Sequence, residues 1–156
     1  MKILYLPFGI VFAFFRRSYI VFKNIYYNKK YNFDKSVKIG YEVLIYGNVE
    51  IGKETYLQRG CSIVGGEKDK VKIGEYCSIA NNVNIRAMTH NIGEKEDKKR
   101  KGSSITIGDY VWIGSNSFIK EGISIGDNVV IGANSVVTKD IPSNSVFAGV
   151  PARMIK

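Results

Sequence analysis

The chain holds one histidine, His90, in the run Met88-Thr89-His90-Asn91. A neutral imidazole with an ordinary pKa of ~6.5 can take a proton from a hydroxyl near neutral pH, which is general-base chemistry. Most single histidines are structural or simply solvated. This one stands where a regular six-residue pattern breaks off, and breaks in a repeat are where function is usually mounted. No Ser or Cys sits in a nucleophile elbow, and none is needed if an alcohol attacks an activated acyl group directly. Cys61 and Cys77 occupy small inward positions of the same pattern and read as core filler, which suits a reducing compartment. With one His, no Cys-x-x-Cys and no carboxylate pair near the site, the sequence offers no metal-ligand cluster.

The elements that must position His90 come from an apolar residue returning every sixth position. The lead positions are Phe33, Ile39, Ile45, Ile51, Leu57 and Ile63, then Ile73, Ile79 and Ile85, then Ile107, Ile113, Ile119, Ile125, Ile131 and Val137. A second, smaller set follows four places after thirteen of these leads, Ile141 being its last member. Corners rich in Gly, Asn and Asp separate the strands, because those residues reach corner conformations cheaply. Three hexads make one turn of a parallel β-helix, so fifteen make five coils. At ~4.8 Å per strand spacing such a prism stands roughly 24 Å tall. Two breaks interrupt it: a short polar one at residues 65–70, and a long one from Met88 to Ser104 that carries the histidine. Trp112 falls at an outward position, where an indole is wasteful unless something covers it.

The segment "IGEYCSIANNVNI…MTHN…SITIGDYVWIGSNSFIKEGISIGDNVVIGANSVVTKDIPSNSVFAGVPARMIK", residues 73–156, resembles the galactoside, maltose and polysaccharide O-acetyltransferases among the hexapeptide-repeat acyltransferases. The Thr-His dipeptide, Val-Trp-Ile-Gly, Val-Thr-Lys-Asp-Ile-Pro and Gly-Val-Pro-Ala-Arg occur in that order. The likeness fades before residue 36. It implies an all-β solenoid, a left-handed parallel β-helix of about five coils, with acetyl-CoA as co-substrate, no metal, and O-acetylation of a sugar hydroxyl in surface polysaccharide synthesis. His90 would be the general base, and a main-chain amide around Gly114-Ser115 would meet the oxyanion. Trp112 would wall the acceptor pocket. Gln58 stands where family members carry an acceptor-binding Asn, one methylene shorter. Ser115 and Ala133 would line the pantetheine arm; Thr138, Lys139, Arg153 and Lys156 would meet the nucleotide end. The assembly implied is a homotrimer with active sites between subunits. Two other transfers stay open, a streptogramin-type xenobiotic reaction and N-acetylation of an amino sugar. From another class, so does a non-catalytic scaffold trimer.

The formal charge of +9 is local: residues 1–35 carry seven Lys/Arg and one Asp, whereas residues 105–156 balance four against four. No helix-turn-helix, finger or RNP-type pattern accompanies it, so nucleic acid is not the expected partner. The chain divides into a hydrophobic-basic arm, 1–32, and a β-helix domain, 33–156. The apolar run over residues 3–15 is short of the roughly 20 residues that span a bilayer. It also lacks a leader's order of charge and cleavage site. Two readings of the arm remain: a helix over 8–28 that packs on the prism or a neighbour, or a helix lying in anionic headgroups. The expected location is cytoplasmic, with the second reading placing the protein on the inner face of the membrane. The basic run Lys98-Lys99-Arg100-Lys101 reads as a solvated loop, with phosphate contact as the alternative.

Overall fold

The computed structural model describes the backbone of residues 8–90 and 100–156 and the side chains of 16–89 and 102–156. A helix, α1 (Phe8–Tyr31), precedes a left-handed parallel β-helix of five coils. The first coil is β1 (Lys38–Ile39), β2 (Leu44–Tyr46) and β3 (Val49–Ile51); the second is β4 (Tyr56–Leu57), β5 (Ser62–Val64) and β6 (Val71–Ile73). The third runs β7 (Ser78–Ile79), β8 (Asn84–Arg86) and β11 (Ile105–Ile107), with an antiparallel excursion, β9 (Met88–His90) and β10 (Arg100–Gly102), before its last strand. The fourth is β12 (Trp112–Ile113), β13 (Phe118–Ile119) and β14 (Ser124–Ile125). The fifth is β15 (Val130–Ile131) and β16 (Val136–Val137), and a closing hairpin follows, β17 (Val146–Gly149) and β18 (Ala152–Met154).

These strands form three faces. The first is β1-β4-β7-β12-β15-β17-β18, the second β2-β5-β8-β13-β16 and the third β3-β6-β11-β14. Register is strict: Ile39, Leu57, Ile79, Ile113 and Ile131 stack on one face, and Ile45, Ile63, Ile85, Ile119 and Val137 on the next. The third column is Ile51, Ile73, Ile107 and Ile125, completed by a bridge to Ile141. The fifteenth core place therefore belongs to Ile141 and not to Phe33. The last corner is shortened, so Ile141 follows Val137 by four positions instead of six. Phe33 instead turns the chain out of α1, its N–H bonded to Asn28 O at 3.0 Å and its ring stacked on Tyr31.

The corners show why Asn recurs. Among the described residues, six of the ten non-glycine residues with positive φ are Asn, the others being Glu42, Glu54, Tyr76 and Tyr110. Asn tolerates the left-handed region and its amide can bond locally. Here the amides also bond vertically, Asn82 to Asn116 and Asn116 to Asn134, both at 3.2 Å. Tyr76 and Tyr110 lie in the same region and stack on one another, centroids 5.1 Å apart.

A prism has open ends whose strand groups need partners. Helix α1 supplies them at the first coil. Asn24 bridges the terminal strand, accepting from Ile39 N–H at 2.7 Å and donating to Ile39 O at 2.8 Å. Lys23 donates to Val43 O and Tyr31 to Ile45 O. Burial holds the Lys23 ammonium below its ordinary pKa, opposed by Glu42. Tyr27 is buried against the core. The packing reading of the arm thus describes one side of the helix; on the other side Phe22 and Ile25 are 71% and 62% exposed. Replacing Asn24→Ala would leave the Ile39 N–H and C=O without partners, so equilibrium denaturation should show a loss of about 1–3 kcal/mol.

Candidate active site

Each corner of the prism repeats in every coil, so a side chain's place follows from its offset after the lead residue. Positions one and two past a first-face lead make the edge between the first and second faces. This column contains Gly40-Tyr41, Gln58-Arg59, Ala80-Asn81, Gly114-Ser115 and Gly132-Ala133. The first member of each pair donates its N–H to the next coil: Gln58 to Ile79 O, Gly114 to Ile131 O, both at 2.8 Å. Among the described residues, no acceptor takes the N–H of Ser115 or Ala133. The coils approach closely here, since a Cβ on Gly114 would come within 2.5 Å of Ala133 N. Ser115 is half-buried and Ala133 exposed, so this edge presents backbone amides with little side chain over them.

Gln58, Ser115 and Ala133 are thus brought together on one edge, spread over four coils. Trp112 stands beside them on the first face, 56% exposed, between Ser78 and Val130 in register. The remaining candidates lie elsewhere. His90 ends β9, which leaves the third coil on the other side of the second face; its imidazole lies outside the described residues. Thr138 and Lys139 follow β16 on that same far edge, both exposed. Between them in the coil order come Lys120 and Gly122, the latter bonded to Ser103 O at 3.1 Å. Arg153 and Lys156 belong to the closing hairpin and its tail at the end of the first face. The side chains of the basic run 98–101 also lie outside the described residues.

The second face therefore separates the two sets by one hexad of chain, at most about 20 Å. That face differs from the third. Leu44 and Tyr46 stand 50% and 60% exposed on it, with Phe118 in the same column at 36%. The third face shows Glu50, Lys72, Thr106 and Ser124 outward, with Glu50 paired to Lys70 at 2.6 Å.

One feature of the surroundings escaped the sequence reading. Between α1 and the first–second edge lies an open groove of about 1230 Å³, and Gln58 is part of its wall. The signal was present: Arg16, Ile20, Asn24 and Asn28 recur every fourth residue on one stripe of α1, Asn32 follows just past its end, and all five line the groove.

Both cysteines are buried and hydrogen-bonded to backbone carbonyls, Cys61 to Ala80 O at 3.0 Å and Cys77 to Gly108 O at 3.2 Å. Burial pushes the Cys61 thiol up to about 11 and raises Cys77 as well. Among the described residues no three His, Cys, Asp or Glu side chains could share a metal ion.

Residues 104–139 match the bacterial transferase hexapeptide (six repeats) family model. The galactoside O-acetyltransferase of Escherichia coli strain K12 is 46% identical over 111 residues, covering 70% of this chain and 54% of its own. The polysialic acid O-acetyltransferase of Escherichia coli O1:K1 is 49% identical over 111 residues, covering 69% of this chain and 36% of its own. A solved galactoside acetyltransferase in complex with coenzyme A superposes with a TM-score of 0.65 at 37% identity, over 78% of this chain and 64% of that one. The chain thus spans about half or less of the length of these two curated relatives. The hexad register, the five-coil solenoid and these likenesses together define a hexapeptide-repeat protein. The chain belongs to the hexapeptide-repeat acetyltransferase family.

A thiolate must form before either cysteine can react. Ellman's reagent at pH 8 should accordingly titrate neither cysteine in the folded protein and both after denaturation.

Proposed function

We propose that this protein is an acetyl-CoA-dependent O-acetyltransferase acting on a sugar hydroxyl, with sites shared between subunits of a homotrimer. The observation that carries the shared site is the split of the motif residues over two edges flanking a face that exposes Leu44, Tyr46 and Phe118. A closed ring in which the second faces turn inward sets the first–second edge of one protomer against the far edge of the next. That places Gln58, Trp112, Ser115 and Ala133 of one protomer across from His90, Thr138 and Lys139 of its neighbour. The galactoside and polysialic acid relatives, and the coenzyme A complex, support the reaction class.

In the reaction His90 takes the acceptor hydroxyl proton as its oxygen attacks the thioester carbonyl. The C=O becomes a tetrahedral oxyanion, met by a main-chain N–H of the Ser115 segment that has no acceptor among the described residues. Collapse breaks the C–S bond. The departing thiolate takes the proton from the imidazolium, leaving an O-acetyl ester and free CoA. Trp112 walls the acceptor, Ala133 offers a second amide to pantetheine, and Lys139 with Arg153 balances the phosphates. Thr138 and Lys156 complete the nucleotide end. Acetyl-CoA places the work in the cytoplasm, and surface-polysaccharide precursors are the acceptor class.

His90→Ala should lower kcat at least ~10²-fold, the usual contribution of a general base. Mixing His90→Ala with Gln58→Ala subunits should then restore about a quarter of the wild-type activity, since one site in four of a random heterotrimer draws both intact residues from neighbours. No recovery, or a fully active monomer in sedimentation, would rule out the shared site.

The outward side of α1 is proposed to rest on anionic lipid. Arg17, Val21, Phe22 and Ile25 line a shallow patch there, and the arm carries no acid before Asp34. No helix among the described residues is long and apolar enough to cross a membrane. An interfacial contact needs only a half-buried apolar face and nearby cations. Intact protein should float with phosphatidylglycerol vesicles, less so in high salt. Arg17→Glu with Phe22→Glu should abolish flotation while the melting temperature holds, because both side chains lie in the outer patch and neither borders the groove against the prism.

A further inference from the structure

The groove between α1 and the first–second edge is larger than a small-molecule pocket of about 300–1000 Å³ and is open along its length. Its charge is one-sided. Arg16, Lys29, Lys35, Lys38 and Arg59 line it, against the single carboxylate of Glu42. Arg59 already holds that carboxylate at 2.8 Å, which leaves four cations facing no acid in the groove. The side-chain amides are Asn24, whose amide is taken up by Ile39, and Asn28, Asn32, Gln58 and Asn81. The Asn28 Oδ1 is buried and accepts no hydrogen bond from a described residue. The rings of Tyr41 and Tyr56 complete the lining.

Amides pair a donor and an acceptor in one plane and suit the hydroxyls of a sugar ring, and tyrosine faces suit its C–H side. Four unanswered cations suit carboxylates or another acid on the same chain. We infer that this groove binds an anionic oligosaccharide, and that the acceptor of this enzyme is an acidic glycan entering along α1. The inference rests on the acetyl-transfer reading for the word acceptor only. Gln58 is the junction: it belongs to the groove wall and to the edge that carries Ser115 and Ala133 two and three coils further on, about 10–15 Å away. A chain seated against α1 would therefore present its end, or one of its residues, at the point where the acyl group arrives.

The test measures binding by calorimetry, without acetyl-CoA, on full-length His90→Ala protein. The probes are a hexameric oligogalacturonate, neutral maltohexaose, and a single-stranded DNA oligonucleotide of matched charge. Oligogalacturonate should bind at least about tenfold more tightly than either other probe and weaken with salt. Lys35→Glu with Lys38→Glu should weaken it at least about tenfold, whereas Lys72→Glu on the third face, the same kind of charge reversal, should not. Equal binding of maltohexaose, equal binding of DNA, no binding of oligogalacturonate, or indifference to the double reversal would each overturn the inference. Failure of the acetyl-transfer reading has a separate signature, the absence of thiol release from acetyl-CoA by wild-type protein with any acceptor, and it leaves the binding result standing.

Discussion

Backbone hydrogen bonds from each coil to the next are the constraint on which the rest depends. Gly40 to Leu57, Gln58 to Ile79, Ala80 to Ile113 and Gly114 to Ile131 are successive rungs of one ladder, at 2.8–2.9 Å. A ladder of this kind fixes the number of residues per face. Any surplus must leave the prism at a corner, because a residue inserted within a strand would turn the core column outward. The excursion after Arg86 obeys that rule: β9 departs, β10 returns antiparallel to it, and Ile105 resumes pairing with Val71. His90 can therefore stand away from the core without cost to the stack beneath it. At the first–second edge, unlike the corner after the third face where Asp109, Asp127 and Ser143 side chains take up the second amide, the ladder leaves the N–H groups of Ser115 and Ala133 without an acceptor among the described residues.

A ladder also has ends. At the first coil the unpaired groups are answered by side chains of α1 instead of another strand, and Asn24 answers both groups of Ile39. An asparagine does this well because its amide copies the donor and acceptor of a peptide. A strand so capped cannot template another chain, which is the hazard of an open edge. The cost falls on the helix, whose inward side must be polar where it meets backbone and aromatic where it meets the core. Tyr27, Tyr31 and Phe33 fill the second role, and their stacking turns the chain from the helix into the first strand.

Much of this was legible in the sequence. The six-residue period predicts the strand centres, and fourteen of the lead positions occupy the core columns in the expected order. The exception is informative. Phe33 has the right spacing and the right chemistry, and it is buried, but α1 continues to Tyr31 and leaves no room for a strand there. A period counts residues and is blind to the element that supplies them. The site was less legible for a different reason. Motif order along the chain says nothing about which prism edge a residue occupies, and only the coil geometry shows Gln58 and His90 on opposite sides of the second face. The groove was hidden because its walls come from two elements of unlike period. A fourfold stripe in α1 faces a sixfold column on the prism, and neither pattern alone marks a cavity.

The arm's excess of positive charge also acquires a physical account once α1 is placed. Among the described residues, Lys30 lies over the rings of Tyr26 and Tyr31, and the other cations of α1 point three ways. Lys23 turns inward, donates to Val43 O, and lies over the rings of Tyr19 and Tyr27. Arg16 and Lys29 border the groove, and Arg17 lies in the patch with Phe22 and Ile25. A helix that served packing alone would need the first and none of the others. One that served only a lipid surface would need no amide stripe and no contact with the prism backbone. Residues recurring every fourth place along a helix share one stripe, so packing, groove and outer patch occupy neighbouring stripes of a single element, with Asn24 common to the first two and Val21 and Ile25 to the last two. The wall beside the acceptor is then as rigid as the cap that holds the first coil closed. Because Asn24 serves both, mounting the groove on the cap ties recognition of the acceptor to the folding of the prism itself.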